Sequence, residues 1–351
     1  MSTAVQDQPV TLLSGDPTVW EPPQPAAVNR ELARQPIPMI VKDHMNAGGF
    51  GWLLGRRGSY KTGLALYTAA AVIIKRPLFG SDRFEIERSG PVLYLDGHEN
   101  NQLLYPRVER ILNGMDATAE ERERVWSNLY VKHTTGINMH TGKWVAELAE
   151  WGLENRPLLI IFDTFMRFYA GGGYTDEDTS KAIVRDGVLR RTTGAATLWL
   201  HHPPKSNGPD PFRGGSGFLD AADFAFEVKR PRGNSVLQVR CEKFRPGLEP
   251  ADFALNVKEQ TPDNLMEESG VLSFRLSRVI PLEKSDSDWE QIHEQVLENP
   301  GSNKSEILKA VSGQRERISH ELDRRVEAGS LVLKLEGRTH RYFLAGQIED
   351  R

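Results

Sequence analysis

The stretch Leu53–Leu66, LLGRRGSYKTGLAL, decides how the chain is read. Gly55 and the pair Lys61-Thr62 stand where the pattern G-x-x-x-x-G-K-[ST] wants them, a loop whose backbone cradles a polyphosphate. The residue before the lysine is Tyr60, where that pattern has glycine. Two readings follow: a nucleotide loop of unusual composition, or a glycine-rich turn ending in an exposed lysine. Context discriminates better than the motif. The loop follows an apolar strand, FGWLLG, and opens an alanine-rich helix, TGLALYTAAAVII. Successive backbone N–H groups and the positive end of a helix dipole then converge on one anion. In the nucleotide reading Gly58 supplies the turn, and Gly55, Ser59 and Tyr60 complete the cradle. Lys61 reaches the β and γ phosphates of ATP, and the Thr62 hydroxyl holds Mg²⁺.

The segments around the loop supply its setting. GPVLYLDG, PLLIIFDT and ATLWLHH are short, apolar and bounded by turn residues, as buried strands are. Between them LYPRVERILNG and WVAELAEWGLEN have helical spacing. Buried strands alternating with helices predict an α/β fold with a mostly parallel sheet. SVLQVRCEKF, DFALNVKE and VLSFRLSRVI alternate more strictly and predict antiparallel strands at the sheet's far edge.

The strand ends then carry chemistry. Asp163 closes LLIIFD, at the carboxyl edge where ligands bind in such sheets, and is placed to hold Mg²⁺ through water; its bland reading is a helix cap. VLYLDGHEN ends in acidic residues of the kind that polarise an attacking water. LWLHH brings His201 and His202 to the same edge. CEKFRPG puts Lys243 and Arg245 two apart, on one face of a strand, which on spacing alone is equally a solvated basic face.

Composition bounds the rest. A chain of 351 residues, 39% hydrophobic and 26% charged, suits a large core with a small second domain. A formal charge of −4 gives no global attraction to nucleic acid, so such binding needs a local basic surface. The single cysteine, Cys241, excludes an internal disulfide and a thiolate metal cluster. No run of about 18 apolar residues occurs, and no signal peptide is read, so a cytoplasmic protein away from membranes is expected. Residues 1–38, with EPPQP and QPIP, read as a flexible leader, and 39–284 as the ATPase core. In 285–351 three helical segments precede a hairpin turning near Gly337, the layout of a winged helix-turn-helix. There Asn303 and Glu306 are spaced as a capping box, and Ile318, Leu322 and Val326 form one apolar face.

Together these residues resemble the RepA-like hexameric helicases, a branch of the RecA-like P-loop ATPases, over about Met39 to Ile280. GRRGSYKT looks like the family's phosphate loop, in which some members carry an aromatic residue before the lysine. LLIIFDT resembles the second nucleotide motif. The segment LHHPPK…RGGSGFLDAAD, from about His201 to Asp223, is similar to the family's histidine-pair segment with its Arg-Gly-Ser loop. The resemblance implies that His202 senses the γ-phosphate. It also implies that Lys243 and Arg245, in EKFRPG, enter a neighbouring subunit's site, Arg245 as arginine finger, within a homo-oligomeric ring, a hexamer. In the family the catalytic glutamate falls about where His98 stands. Here Glu99 is assigned as the base that orients water, with Asp96 as the alternative. The short plasmid helicases of this family lack the winged helix.

The leading expectation is an ATP-driven motor on nucleic acid, a replicative helicase of plasmid or phage type. YAGGGYTDEDTS and PPKSNGPDPFRGGSG read as loops lining a channel, with Lys205 and Arg213 contacting single-stranded DNA; the alternative is ordinary surface loops. The C-terminal module meets duplex DNA through Arg315 and Arg317, or else meets protein. The competing function is an ATP-switched DNA-binding regulator, or a helicase or recombination accessory, that does not unwind. A third is a RecA-like scaffold with weak catalysis.

Overall fold

Residues 25–97, 103–133, 138–139, 142–168, 176–202, 217–230, 235–260, 270–279, 284–311, 315–327, 329–337 and 339–344 are described by the computed structural model. They fall into one unit up to residue 279 and another from residue 284. In chain order the first unit contains β1 (Met39–Val41), β2 (Met45–Asn46), β3 (Phe50–Gly55), α1 (Lys61–Ile74) and β4 (Val92–Asp96). Next come α2 (Leu104–Gly114), α3 (Ala119–Asn128), β5 (Leu129–His133), α4 (Gly142–Asn155), β6 (Leu159–Asp163) and α5 (Phe165–Phe168). Then follow α6 (Asp176–Thr193), β7 (Ala196–His201), α7 (Gly217–Ala221), β8 (Phe224–Lys229), β9 (Val236–Phe244), β10 (Phe253–Gln260) and β11 (Val271–Val279).

One nine-stranded sheet runs in the order β11-β10-β9-β8-β3-β7-β6-β4-β5. From β8 through β5 every neighbouring pair is parallel, and β8 to β11 pair antiparallel. This is the α/β fold expected from the sequence, with its strictly alternating strands at the far edge.

Successive side chains on a strand point to opposite faces, so one apolar strand feeds two cores. Tyr94 and Ile161 pack on the face covered by α1, α2 and α3. Leu93, Leu95, Ile160, Phe162 and Trp199 pack on the other, with residues of α4 and α6. Helix α1 is buried almost all round, and its run Ala69-Ala70-Ala71 lets the backbone lie close to the sheet.

One expected loop is partly corrected. In YAGGGYTDEDTS, residues 169–175 lie outside the described residues, but Asp176–Ser180 form the start of α6.

The second unit contains α8 (Lys284–Glu298), β12 (Ser302–Asn303), α9 (Lys304–Ala310), α10 (Arg315–Glu327), β13 (Leu331–Glu336) and β14 (Thr339–Leu344). β13 and β14 pair antiparallel, with Gly337 between them at φ 65°. Asn303 and Glu306 close the capping box, and Ile318 and Leu322 are fully buried in a core of their own. Among the described residues no helix is long and apolar enough to cross a membrane.

Candidate nucleotide site

The loop between β3 and α1 lies at the carboxyl edge of the parallel strands, beside the ends of β6 and β7. Gly55 is required there: a Cβ would lie 2.5 Å from Ser59 Oγ and 2.7 Å from Val228 O. Gly58 takes φ +77°, a conformation that glycine adopts without strain. Tyr60 also sits in the left-handed region, φ 64° and ψ 19°, as the residue that caps α1. An aromatic residue tolerates this position at modest cost, and tertiary contacts hold its ring. The hydroxyl donates to Glu259 Oε2 at 2.5 Å, Arg230 lies 4.7 Å over the ring, and Phe274 meets it edge-on. Arg110 holds the other oxygen of Glu259 at 2.9 Å.

Lys61 is buried. Its ammonium donates to Gly55 O at 2.6 Å and Arg56 O at 3.0 Å, and lies 3.1 Å from His202 Nδ1. Burial lowers its pKa to about 8, with Asp163 pulling the other way. His202 is half-buried; burial first, and then the Lys61 charge, lowers its pKa, which favours the neutral ring that accepts from Lys61. His201, by contrast, is turned into the core against Trp52 and Phe165. The expected histidine pair thus splits, and only His202 reaches the loop.

Thr62 Oγ1 donates to Asp163 Oδ2 at 2.7 Å. Tyr94 OH donates to the same oxygen at 2.7 Å. Asp163 Oδ1 is buried and meets no partner among the described residues, as does Ser59 Oγ. Two hard oxygen donors in contact, one with a spare buried carboxylate oxygen, fit a magnesium ion. Asp96 stands beside Asp163 in register on the neighbouring strand, buried, with His133 Nδ1 3.2 Å from its Oδ2. Glu99, the residue assigned to orient water, lies outside the described residues, as do Lys205 and Arg213.

Lys243 and Arg245 lie elsewhere in the chain. Lys243 Nζ donates to Leu219 O and Asp220 O, both at 2.7 Å, and Arg245 donates to Asp220 O at 2.6 Å. Both cations therefore satisfy carbonyls at the end of α7. Arg245 follows the last residue of β9, and Phe244 pairs with Phe224. Phe224 in turn pairs with Gly51, whereas the loop leaves β3 at Gly55. Four residues of strand, roughly 13 Å, separate the pair from the loop of their own chain. In the second unit Arg315 is exposed at the start of α10, and Arg317 lies in the same helix. The acidic residues of that helix are partly engaged: Glu321 is buried against Arg325 at 2.7 Å, and Asp323 faces Lys304.

Sequence reasoning missed Tyr94, Arg230 and Glu259. Only Tyr94 left a signal: a tyrosine inside a fully buried strand needs a partner for its hydroxyl.

A family model described as an AAA domain (AAA_25) matches residues 18–208. The structure is similar to that of a RadB recombinase at 13% identity and a TM-score of 0.45, covering 60% of this chain and 88% of that one. It is similar to a second solved structure, an ATPase domain, at 12% identity and a TM-score of 0.45, covering 66% of this chain and 93% of that one. No curated protein matches the sequence.

Proposed function

The chain belongs to the AAA domain family, and from that premise we propose that it is a cytoplasmic ATPase that works as a motor on single-stranded DNA. One observation carries the reading. The buried Lys61 ammonium, the Thr62 hydroxyl and the Asp163 carboxylate meet at the carboxyl edge of a parallel sheet, where a helix begins.

In the proposed reaction water attacks the γ-phosphate in line, and the protein's contribution is positioning and charge neutralisation. Lys61 exchanges the carbonyls of Gly55 and Arg56 for phosphate oxygens. Thr62 and Asp163 would hold a magnesium ion, which when bound would supply neutralisation of the polyphosphate charge. His202, in contact with the Lys61 ammonium, responds to where that ammonium goes, and is assigned to sensing the γ-phosphate. Glu99 orients the water, with Asp96 as the alternative.

The finer reading is a RepA-like helicase of plasmid or phage type, assembled as a hexameric ring. The position of Lys243 and Arg245, remote from their own loop, supports action on a neighbour's nucleotide. Lys205 and Arg213 would line the channel for single-stranded DNA. The second unit is read as a winged helix that meets duplex DNA through Arg315 and Arg317, or meets protein. Its separate core also favours the second reading, an ATP-switched DNA-binding regulator. ATPase turnover with and without single-stranded DNA separates the two. Stimulation that disappears in Lys61→Ala supports the motor; unstimulated turnover with tight duplex binding supports the regulator.

A further inference from the structure

Away from the phosphate loop, the first unit holds a partly open pocket of about 80 Å³ between the sheet and α1. That is several times the ~10–15 Å³ one water molecule needs. Leu64 of α1, Leu53 of β3 and the rings of Phe84, Phe226 and Phe253 line it. One polar ring interrupts these walls. His44, between β1 and β2, also lines the cavity and is only 6% exposed. Phe84, Phe226 and Phe253 surround it at centroid distances of 4.5, 5.7 and 6.0 Å.

The state of that imidazole follows from its one hydrogen bond. Nδ1 lies 2.7 Å from Lys42 O; a carbonyl only accepts, so Nδ1 carries the proton and Nε2 presents a lone pair. Nε2 is buried and has no partner among the described residues. Burial holds the pKa down at about 4, so the ring is neutral near pH 7. The other polar lining group, Thr68, already commits its proton to Leu64 O at 2.8 Å. A lone water here would find fewer strong partners than the two to four that buried waters hold. A bare acceptor in an otherwise apolar chamber suits a ligand with one donor and an apolar body.

We propose that this cavity binds a small, largely apolar molecule carrying a single hydroxyl or N–H donor, of the phenol class, which donates to His44 Nε2. The outer wall offers a way in. Leu78, Phe79 and Phe84 belong to two short 3-10 turns, Leu78–Gly80 and Asp82–Phe84, which open more readily than the sheet. No group of the phosphate loop takes part.

Phenol and toluene, nearly equal in shape, test this by calorimetry on the full-length protein. A plain apolar void favours toluene, the less hydrated of the two. The expected result is saturable phenol binding at least as tight as that of toluene. In His44→Phe phenol should weaken about tenfold or more while toluene stays within about threefold. Should that variant not fold, the ¹⁵N resonance of His44 Nε2 in the wild-type protein reads the same contact, and it is expected to shift as phenol saturates. Toluene bound with phenol rejected, no binding of either, or an unmoved Nε2 resonance overturns the proposal.

Discussion

Tyr60 occupies a backbone position that glycine fills most easily, and three tertiary contacts keep its ring there: Glu259, Arg230 and Phe274. The left-handed conformation is costlier for a β-branched side chain. Tyr60→Val is therefore expected to destabilise the first unit by about 1–2 kcal/mol and to weaken ATP binding, whereas Tyr60→Gly keeps the loop competent. Chemical denaturation and a nucleotide titration of both variants check this, and equal behaviour of the two contradicts it. Lys61 gives a pH signature. With a pKa of about 8 in the free protein, the ammonium loses its proton above that pH, while a bound polyphosphate favours the charged form and raises the pKa. ATP affinity should then fall as pH rises past 8, by at most about tenfold per pH unit, with proton uptake on binding near pH 9. Calorimetry in buffers of different ionisation enthalpy measures that uptake; affinity that is flat from pH 7 to 9.5 rejects the assignment.

Helix α2 ends at Gly114, where a Cβ would lie 2.3 Å from Leu272 O and 2.9 Å from Ser273 Cβ. The helix rests directly on β11 there, so Gly114→Ala must push the two apart. A loss of about 1–3 kcal/mol is expected, read as a lower denaturation midpoint with an unchanged slope; an unshifted midpoint removes this packing from the account. Such contacts explain what the sequence could and could not reveal. The strands ending in Gly55, Asp96, Asp163 and His201 were legible because burial on both faces makes each an apolar run with punctuation at its end. β5 was not, because it follows α3 with no intervening residue and its burial alternates between half-buried and exposed, as befits an edge. α6 was not, because its sequence is largely polar and carries Gly187 inside. Within the site, Lys61, Thr62 and Asp163 were legible from motif and strand context. The Tyr60–Glu259 contact joins residues 199 apart, and the Thr62–Asp163 contact joins residues 101 apart. Local patterns place the second because both partners lie at strand or helix ends on one sheet edge; nothing local points to the first.

The sheet carries the phosphate loop at one end of β3 and the Lys243–Arg245 pair near the other. In the proposed ring, a pair placed this way would be presented to the nucleotide of another copy. Lys61→Ala and Arg245→Ala, each inactive alone, should then recover part of the ATPase activity when mixed, because some interfaces pair an intact loop with an intact finger. Absence of recovery, with mixed assembly verified by mass spectrometry, counts against action in trans. All of this presumes that the loop holds a triphosphate. Calorimetric titration of the full-length protein with ATP and magnesium tests that most directly. The expected result is one saturable site per chain, weakened at least about a hundredfold in Lys61→Ala. No binding by the wild-type protein, or equal binding by the variant, contradicts it.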